Sequence, residues 1–122
     1  MPKRPRVLLA EDHPGVAKAV CRVLALECEV VGIVADGSAL LEAAQRLQPE
    51  VIVIDLNLPH VHGLEACRQI KQLQPNTKLI VYSAMNEPDV QQRAFEFGAS
   101  AFVVKGTGDL LSTIQRLCDG RS

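Results

Sequence analysis

The sequence predicts an α/β domain built on a parallel β-sheet sandwiched between helices, and three observations carry that expectation. Short apolar runs alternate five times with stretches of helical apolar periodicity, separated by loops of a few residues. Val51–Ile54 is a run of β-branched residues with no polar alternation, as in a strand buried on both faces. Hydrophobic residues make up 48% of the chain but aromatics only 3%, so the core must be aliphatic, a composition that suits α/β better than a β-sandwich. Parallel neighbours need right-handed crossovers, which is what a helix after every strand supplies.

The first unit pairs a strand over Arg6–Ala10, ending on Glu11-Asp12, with a helix in which Pro14 suits the first position. Ala17, Val20, Cys21 and Leu24 form its apolar stripe. The second joins Glu29–Val34 to a helix over Ala39–Leu47, capped by Ser38 and stopped before Pro49. Val51–Asp55, a loop closed by Gly63 and a helix over Leu64–Gln74 form the third. Lys78–Ser83 and a helix over Pro88–Phe97, ended by Gly98 as a left-handed cap, form the fourth. The fifth is Ala101–Lys105 followed by a helix over Asp109–Asp119, capped by Asp109 and stopped by Gly120.

At 122 residues the chain is expected to be one domain, 1–122, with any output domain lying beyond residue 122. The formal charge is −1 and Lys and Arg are scattered, so no basic stripe favours direct nucleic-acid binding. Cys21, Cys28, Cys67 and Cys118 show no metal-ligand spacing with His13, His60 or His62. Cys21, Cys67 and Cys118 lie on apolar helix stripes and read as small core residues. The opening residues lack a signal-peptide core and no run approaches a membrane span, so a reduced cytoplasmic setting without membrane contact is expected.

The chemistry-bearing residues stand at the carboxyl ends of the strands, where open α/β sheets hold their ligands. Glu11 and Asp12 end the first, Asp55 the third, Ser83 the fourth and Lys105 the fifth. An isolated Asp after a strand usually makes an Asx turn, and a strand-end Lys is usually solvated. Convergence of all of them on one sheet edge is a different matter. Clustered carboxylates repel one another unless a cation intervenes, and a divalent ion such as Mg²⁺ binds two or three of them while keeping waters. Lys105 can pair with a phosphoryl oxygen and the Ser83 hydroxyl can donate to another. An Asp nucleophile, a metal, a lysine and a hydroxyl are what in-line phosphoryl transfer to a carboxylate requires.

With these residues in place, the chain resembles the receiver domains of bacterial two-component response regulators over nearly its whole length. The strings EDHP, DLNLPHVHGLEA and FGASAFVVK resemble the NarL/LuxR-type subfamily. The resemblance implies a flavodoxin-like three-layer (βα)5 sandwich with strand order 2-1-3-4-5, a fold whose order is well established for this class. It implies that Glu11 and Asp12 bind Mg²⁺ or Mn²⁺, that Asp55 is the phosphoacceptor and metal ligand, and that the Asn57 carbonyl completes the metal shell. Ser83 and Phe102 match the switch hydroxyl and aromatic, Ala84 the small neighbour, and Lys105 the lysine that meets the phosphoryl group. Asn57 and Met85 match positions bordering the path of the attacking water, and so bear on the lifetime of the phospho-form. The implied partners are a sensor histidine kinase, a second copy on phosphorylation, and DNA only through a downstream helix-turn-helix domain. Implied too is a protein that catalyses its own phosphorylation and slow dephosphorylation rather than an enzyme in the usual sense.

Some positions depart from the pattern. Gly106 stands where proline commonly follows the lysine, Leu58 where Met is common, and Ala101 where Gly often precedes the aromatic. Rival readings fare worse. A dehalogenase-type phosphatase needs a second Asp at position 57, which is Asn; no G-x-G-x-x-G follows the first strand; and in KGTG the lysine precedes the glycines, unlike a Walker A loop. The serious alternative is a receiver fold used only as an unphosphorylated interaction module. Tyr82 alternates away from Ser83 and reads as packing, and the histidines read as solvated loop residues.

Overall fold

A computed structural model describes residues 4–56, 58, 63–84 and 86–119. The elements are β1 (Arg6–Ala10), α1 (Pro14–Leu24), β2 (Glu29–Val34), α2 (Gly37–Leu47), β3 (Val51–Asp55), α3 (Gly63–Leu73), β4 (Lys78–Ser83), α4 (Pro88–Glu96), β5 (Ala101–Val104) and α5 (Leu110–Asp119). All neighbouring strands pair in parallel, in the order β2-β1-β3-β4-β5. β3 lies in the middle and is buried along its whole length, as its unbroken apolar run requires.

Strand alternation splits the core into two layers. On one face Leu8, Ile52, Ile54, Leu79 and Val81 pack with Leu40 of α2, Ile70 of α3 and Ala94 of α4. On the other, Val7, Leu9, Val51, Val53 and Ile80 pack with Ala17, Val20 and Leu24 of α1 and with Leu110 and Ile114 of α5. Tyr82 belongs to this second layer, and Phe102 to the first.

Local differences from the expected elements have local causes. Asp36, rather than Ser38, caps α2: its backbone is extended (φ −149°) and its carboxylate accepts from the Ala39 N–H at 2.8 Å. Ser38 already lies inside the first turn. His13 is the exposed loop residue expected, and it has a further role as the N-cap of α1, its Nδ1 accepting from the Val16 N–H at 3.2 Å. α3 begins at Gly63, not after it, because its first turn lies against the end of β3: a Cβ there would stand 2.7 Å from the Asp55 carbonyl oxygen and 2.8 Å from the Leu56 Cα. Only glycine permits that approach. Gly98 does take the left-handed conformation (φ 109°), with the Lys71 stem crossing directly over it. β5 ends at Val104, so Lys105 stands one residue past the strand, and α5 starts at Leu110, with the Asp109 carbonyl accepting from the Thr113 N–H at 3.0 Å.

Cys67 and Cys118 are buried as expected, but Cys21 is only half-buried, and Cys28, in the turn before β2, is buried instead. No helix among the described residues is long and apolar enough to cross a membrane. Pro59, His60, His62 and Gly120 lie outside the described residues.

Candidate functional site

Parallel pairing brings the strand-end residues together because every strand delivers its carboxyl end to one edge. Asp55 is the last residue of β3, Glu11 follows β1, Lys105 follows β5 and Ser83 ends β4. Asp55 lies in phase with Val51 and Val53, Glu11 with Val7 and Leu9, and Lys105 with Ala101 and Val103, all members of the α1/α5 layer. So the three charged groups share one side of the sheet edge. Ser83 is in phase with Leu79 and Val81 and belongs to the opposite side.

The charged groups meet. The Lys105 Nζ donates to Glu11 Oε1 at 2.8 Å and to Asp55 Oδ2 at 3.2 Å, across 94 and 50 positions of sequence. One carboxylate oxygen from each of Glu11, Asp12 and Asp55 lies within 4.8 Å of the others. Glu11 and Asp55 are 4% and 6% exposed, whereas Asp12 is exposed at the mouth of the cluster. Backbone groups hold the arrangement: the Glu11 N–H donates to the Val34 carbonyl, the His13 N–H donates to Glu11 Oε2, and the Lys105 N–H donates to the Ser83 carbonyl.

Burial pushes the Glu11 carboxyl above the usual carboxylate range and the adjacent Asp55 adds to that rise, while hydrogen bonds from Lys105 and from the His13 N–H oppose it. For Lys105, burial alone would lower the value; the Glu11 hydrogen bond and the charges of Asp55 and Glu11 outweigh it and hold the ammonium above its ordinary range. Three carboxylates against the Lys105 ammonium leave a surplus of negative charge in a mostly buried place. That donor set fits a hard divalent cation, which takes oxygen ligands and would relieve the repulsion.

Ser83 is 1% exposed, and Ala84 beside it is exposed. Phe102 is half-buried, opposite Val81 in the β4–β5 register, and packs on the α2/α3/α4 layer. The Lys105–Gly106 peptide is trans, and Gly106 takes φ 87°. Asn57 and Met85, expected at the metal shell and the water path, lie outside the described residues.

One neighbour escaped the sequence reading. The Lys105 Nζ lies 5.6 Å from the centroid of the Tyr82 ring, so Tyr82 is a partner of the site's lysine as well as a packing residue. Strand alternation already placed it on the α1/α5 side. Only the fifth strand's end could say that Lys105 lies over it.

The fold and this edge define a phosphoacceptor-type signalling module, and the chain belongs to the response regulator receiver domain family, whose model matches residues 7–115. It is 32% identical to the response regulator GacA of Pseudomonas aeruginosa over 120 residues, covering 95% of this chain and 56% of that protein. To the transcriptional regulatory protein DegU of Brevibacillus brevis it is 32% identical over 102 residues, 82% of this chain and 43% of the other. The chain thus spans about half the length of the curated relatives it matches. Among solved structures, the receiver domain of the putative response regulator NarL from Mycobacterium tuberculosis superposes with a TM-score of 0.92 at 28% identity, covering 98% of this chain and 100% of that one. A LuxR-family response regulator from Aurantimonas gives 0.92 at 28% identity, covering 97% and 87%. The flavodoxin-like fold and the NarL/LuxR-type affinity expected from the sequence are therefore borne out.

Proposed function

We propose that Asp55 accepts a phosphoryl group from a sensor histidine kinase, with Mg²⁺ held by Glu11, Asp12 and Asp55 and by the Asn57 carbonyl. The observation that carries this reading is the meeting of Lys105 with both Glu11 and Asp55 beside three clustered carboxylates. An Asp55 carboxylate oxygen forms the new P–O bond as the P–N bond of the phosphohistidine donor breaks, and the departing imidazole takes up a proton. A bound Mg²⁺ would neutralise the cluster and the phosphoryl oxygens. Lys105 turns from its carboxylates to a phosphoryl oxygen, and Ser83, across the strand end, offers its hydroxyl to another. Phe102 then packs inward on the α2/α3/α4 layer behind Ser83, shifting a two-state population rather than making a new fold. Asn57, Ala84 and Met85 border the water that later hydrolyses the acyl phosphate.

The module is a single domain in the cytoplasm, and it controls transcription through an output domain outside residues 1–122, dimerising when phosphorylated. Support comes from relatives that are transcriptional regulators and from the Salmonella enterica RcsB receiver, solved with phosphomimetic BeF3⁻ at 26% identity and a TM-score of 0.88. Intact-mass measurement with acetyl phosphate and Mg²⁺ tests the site. Wild type gains one phosphoryl group and Asp55→Asn gains none; equal modification of both, or of neither, defeats the assignment.

A further inference from the structure

We propose that Tyr82 is a positioning residue for Lys105 and that the same contact reports the state of the acidic cluster to the groove between α1 and the β5–α5 loop. The proposal rests on reading Asp55 as the phosphoacceptor, and it adds to the Ser83 and Phe102 arm, which lies on the other side of the sheet, a second arm on the α1/α5 side.

Lys105 has three partners at once: Glu11 at 2.8 Å, Asp55 at 3.2 Å and the Tyr82 ring at 5.6 Å. The ring distance is inside the roughly 6 Å within which an ammonium is attracted to an aromatic face. Carboxylates alone would draw the Nζ toward whichever oxygen is nearest. The ring supplies a broad attraction from the α1/α5 side and holds the ammonium over the edge, between Glu11 and Asp55, where an incoming phosphoryl oxygen must find it. β4–β5 pairing fixes the geometry: Tyr82 is registered with Val103, two residues before Lys105 and on the same face.

Tyr82 also has a second side. With Ala19, Val20, Val23, Leu110 and Leu111 it lines a groove of about 330 Å³, mostly apolar, that opens beside Gly106 and Gly108. Both glycines have positive φ and an added Cβ at either would meet nothing within 4 Å, so the loop carrying Lys105 into α5 has room to move. When a phosphoryl oxygen draws the ammonium away, the ring loses its cation and repacks, and the wall of the groove changes with it. Tyr82→Phe keeps the ring face and so keeps the function; Tyr82→Leu keeps apolar bulk and loses it.

Tyr82 is the sole tyrosine of a chain without tryptophan, so tyrosine emission reports on this one ring. In the metal-free protein, NMR should show the Lys105 Cε protons displaced upfield by the ring current in wild type and Tyr82→Phe, and at ordinary positions in Tyr82→Leu. Phosphorylation by acetyl phosphate should slow by about two- to five-fold in Tyr82→Leu and return to the wild-type rate in Tyr82→Phe. Beryllofluoride with Mg²⁺ should change the tyrosine emission of wild type and leave that of Asp55→Asn unchanged. A Lys105 resonance already at its ordinary position in wild type overturns the proposal, and this holds even if Tyr82→Leu fails to fold. So does a Tyr82→Leu rate equal to wild type, or unaltered emission when ¹⁹F NMR shows beryllofluoride bound. If wild type takes up neither phosphoryl group nor beryllofluoride, it is the phosphoacceptor reading that has failed, and the ring-current shift still decides whether Tyr82 positions Lys105.

Discussion

The α1/α5 side of the sheet edge carries Glu11, Asp55, Lys105 and Tyr82, whereas the α2/α3/α4 side carries Ser83 and Phe102. Both sides are equally apolar a few residues back along the strands, so the division arises only at the strand ends, where strand phase decides which layer each last side chain faces. Charge gathers on one side and a neutral hydroxyl and ring on the other. The lesson is that, on the proposed reading, a charge placed at Asp55 would act on two surfaces by different means: by moving an ammonium off a ring on the α1/α5 side, and by attracting a hydroxyl on the other.

The largest effect should separate the two sides chemically. Lys105→Met removes the cation that faces the reacting group, and phosphorylation of Asp55 should slow by about 10²-fold, as is usual when one electrostatic donor is removed. Ser83→Ala should stay within a few-fold of wild type, yet the NMR shifts that phosphorylation or beryllofluoride produces near Phe102 and Ala94–Gly98 should shrink. Equal rate losses in the two variants, measured by intact mass over time, would erase the distinction.

Alkaline titration offers a smaller contrast, because each layer holds a buried thiol. Burial pushes Cys28, in the α1/α5 layer, up to about 11, and Cys67, in the other, up to about 12, against an ordinary value of 9.0. Above pH 9 the unfolded thiols ionise while the folded ones stay neutral, so stability should fall as pH rises from 9 toward 11 or 12. Lys105 acts in the same direction at still higher pH: its stabilisation is complete below the ordinary 10.5 and is lost only as pH climbs beyond that, through the raised folded value. Denaturant melts at pH 7, 9 and 10.5 should show this decline. At pH 8, a thiol reagent should label half-buried Cys21 well before Cys28 or Cys67. Uniform labelling of all three would mean that one or both layers open readily.

The smallest effect concerns a cap within the α2/α3/α4 layer, remote from the charged side. Asp36→Ala should cost about 1 kcal/mol, and Ser38→Ala a few tenths at most, by chemical denaturation, because only Asp36 meets an otherwise orphaned helix N–H. The reverse order would restore Ser38 as the cap.

These contrasts show which features were legible in the residues alone. The βα succession, the fully buried β3 and the candidates Glu11, Asp12, Asp55, Ser83 and Lys105 could be read directly, because apolar periodicity and the residue that ends each run are local properties. Parallel pairing then implied one shared edge without any knowledge of distances. The caps were harder: Ser38 and Asp36 are both good cap residues, and the choice turned on which backbone was extended at that point. His13 is exposed as the sequence suggested, but its cap role went unread, since an imidazole that accepts from Val16 looks no different in sequence from one that does not.

What the sequence by itself determined was the order of elements, the aliphatic two-layer core and the identity of the groups at the strand ends, all set by spacing along the chain. Only the tertiary structure decided that Lys105 bonds Glu11 and Asp55 rather than water, that Gly63 rests against the Asp55 carbonyl, and that Tyr82 lies beneath the ammonium. Those contacts join residues up to 94 positions apart, and their distances follow from strand register, sheet twist and the point where β5 ends, quantities that no single segment of the chain encodes.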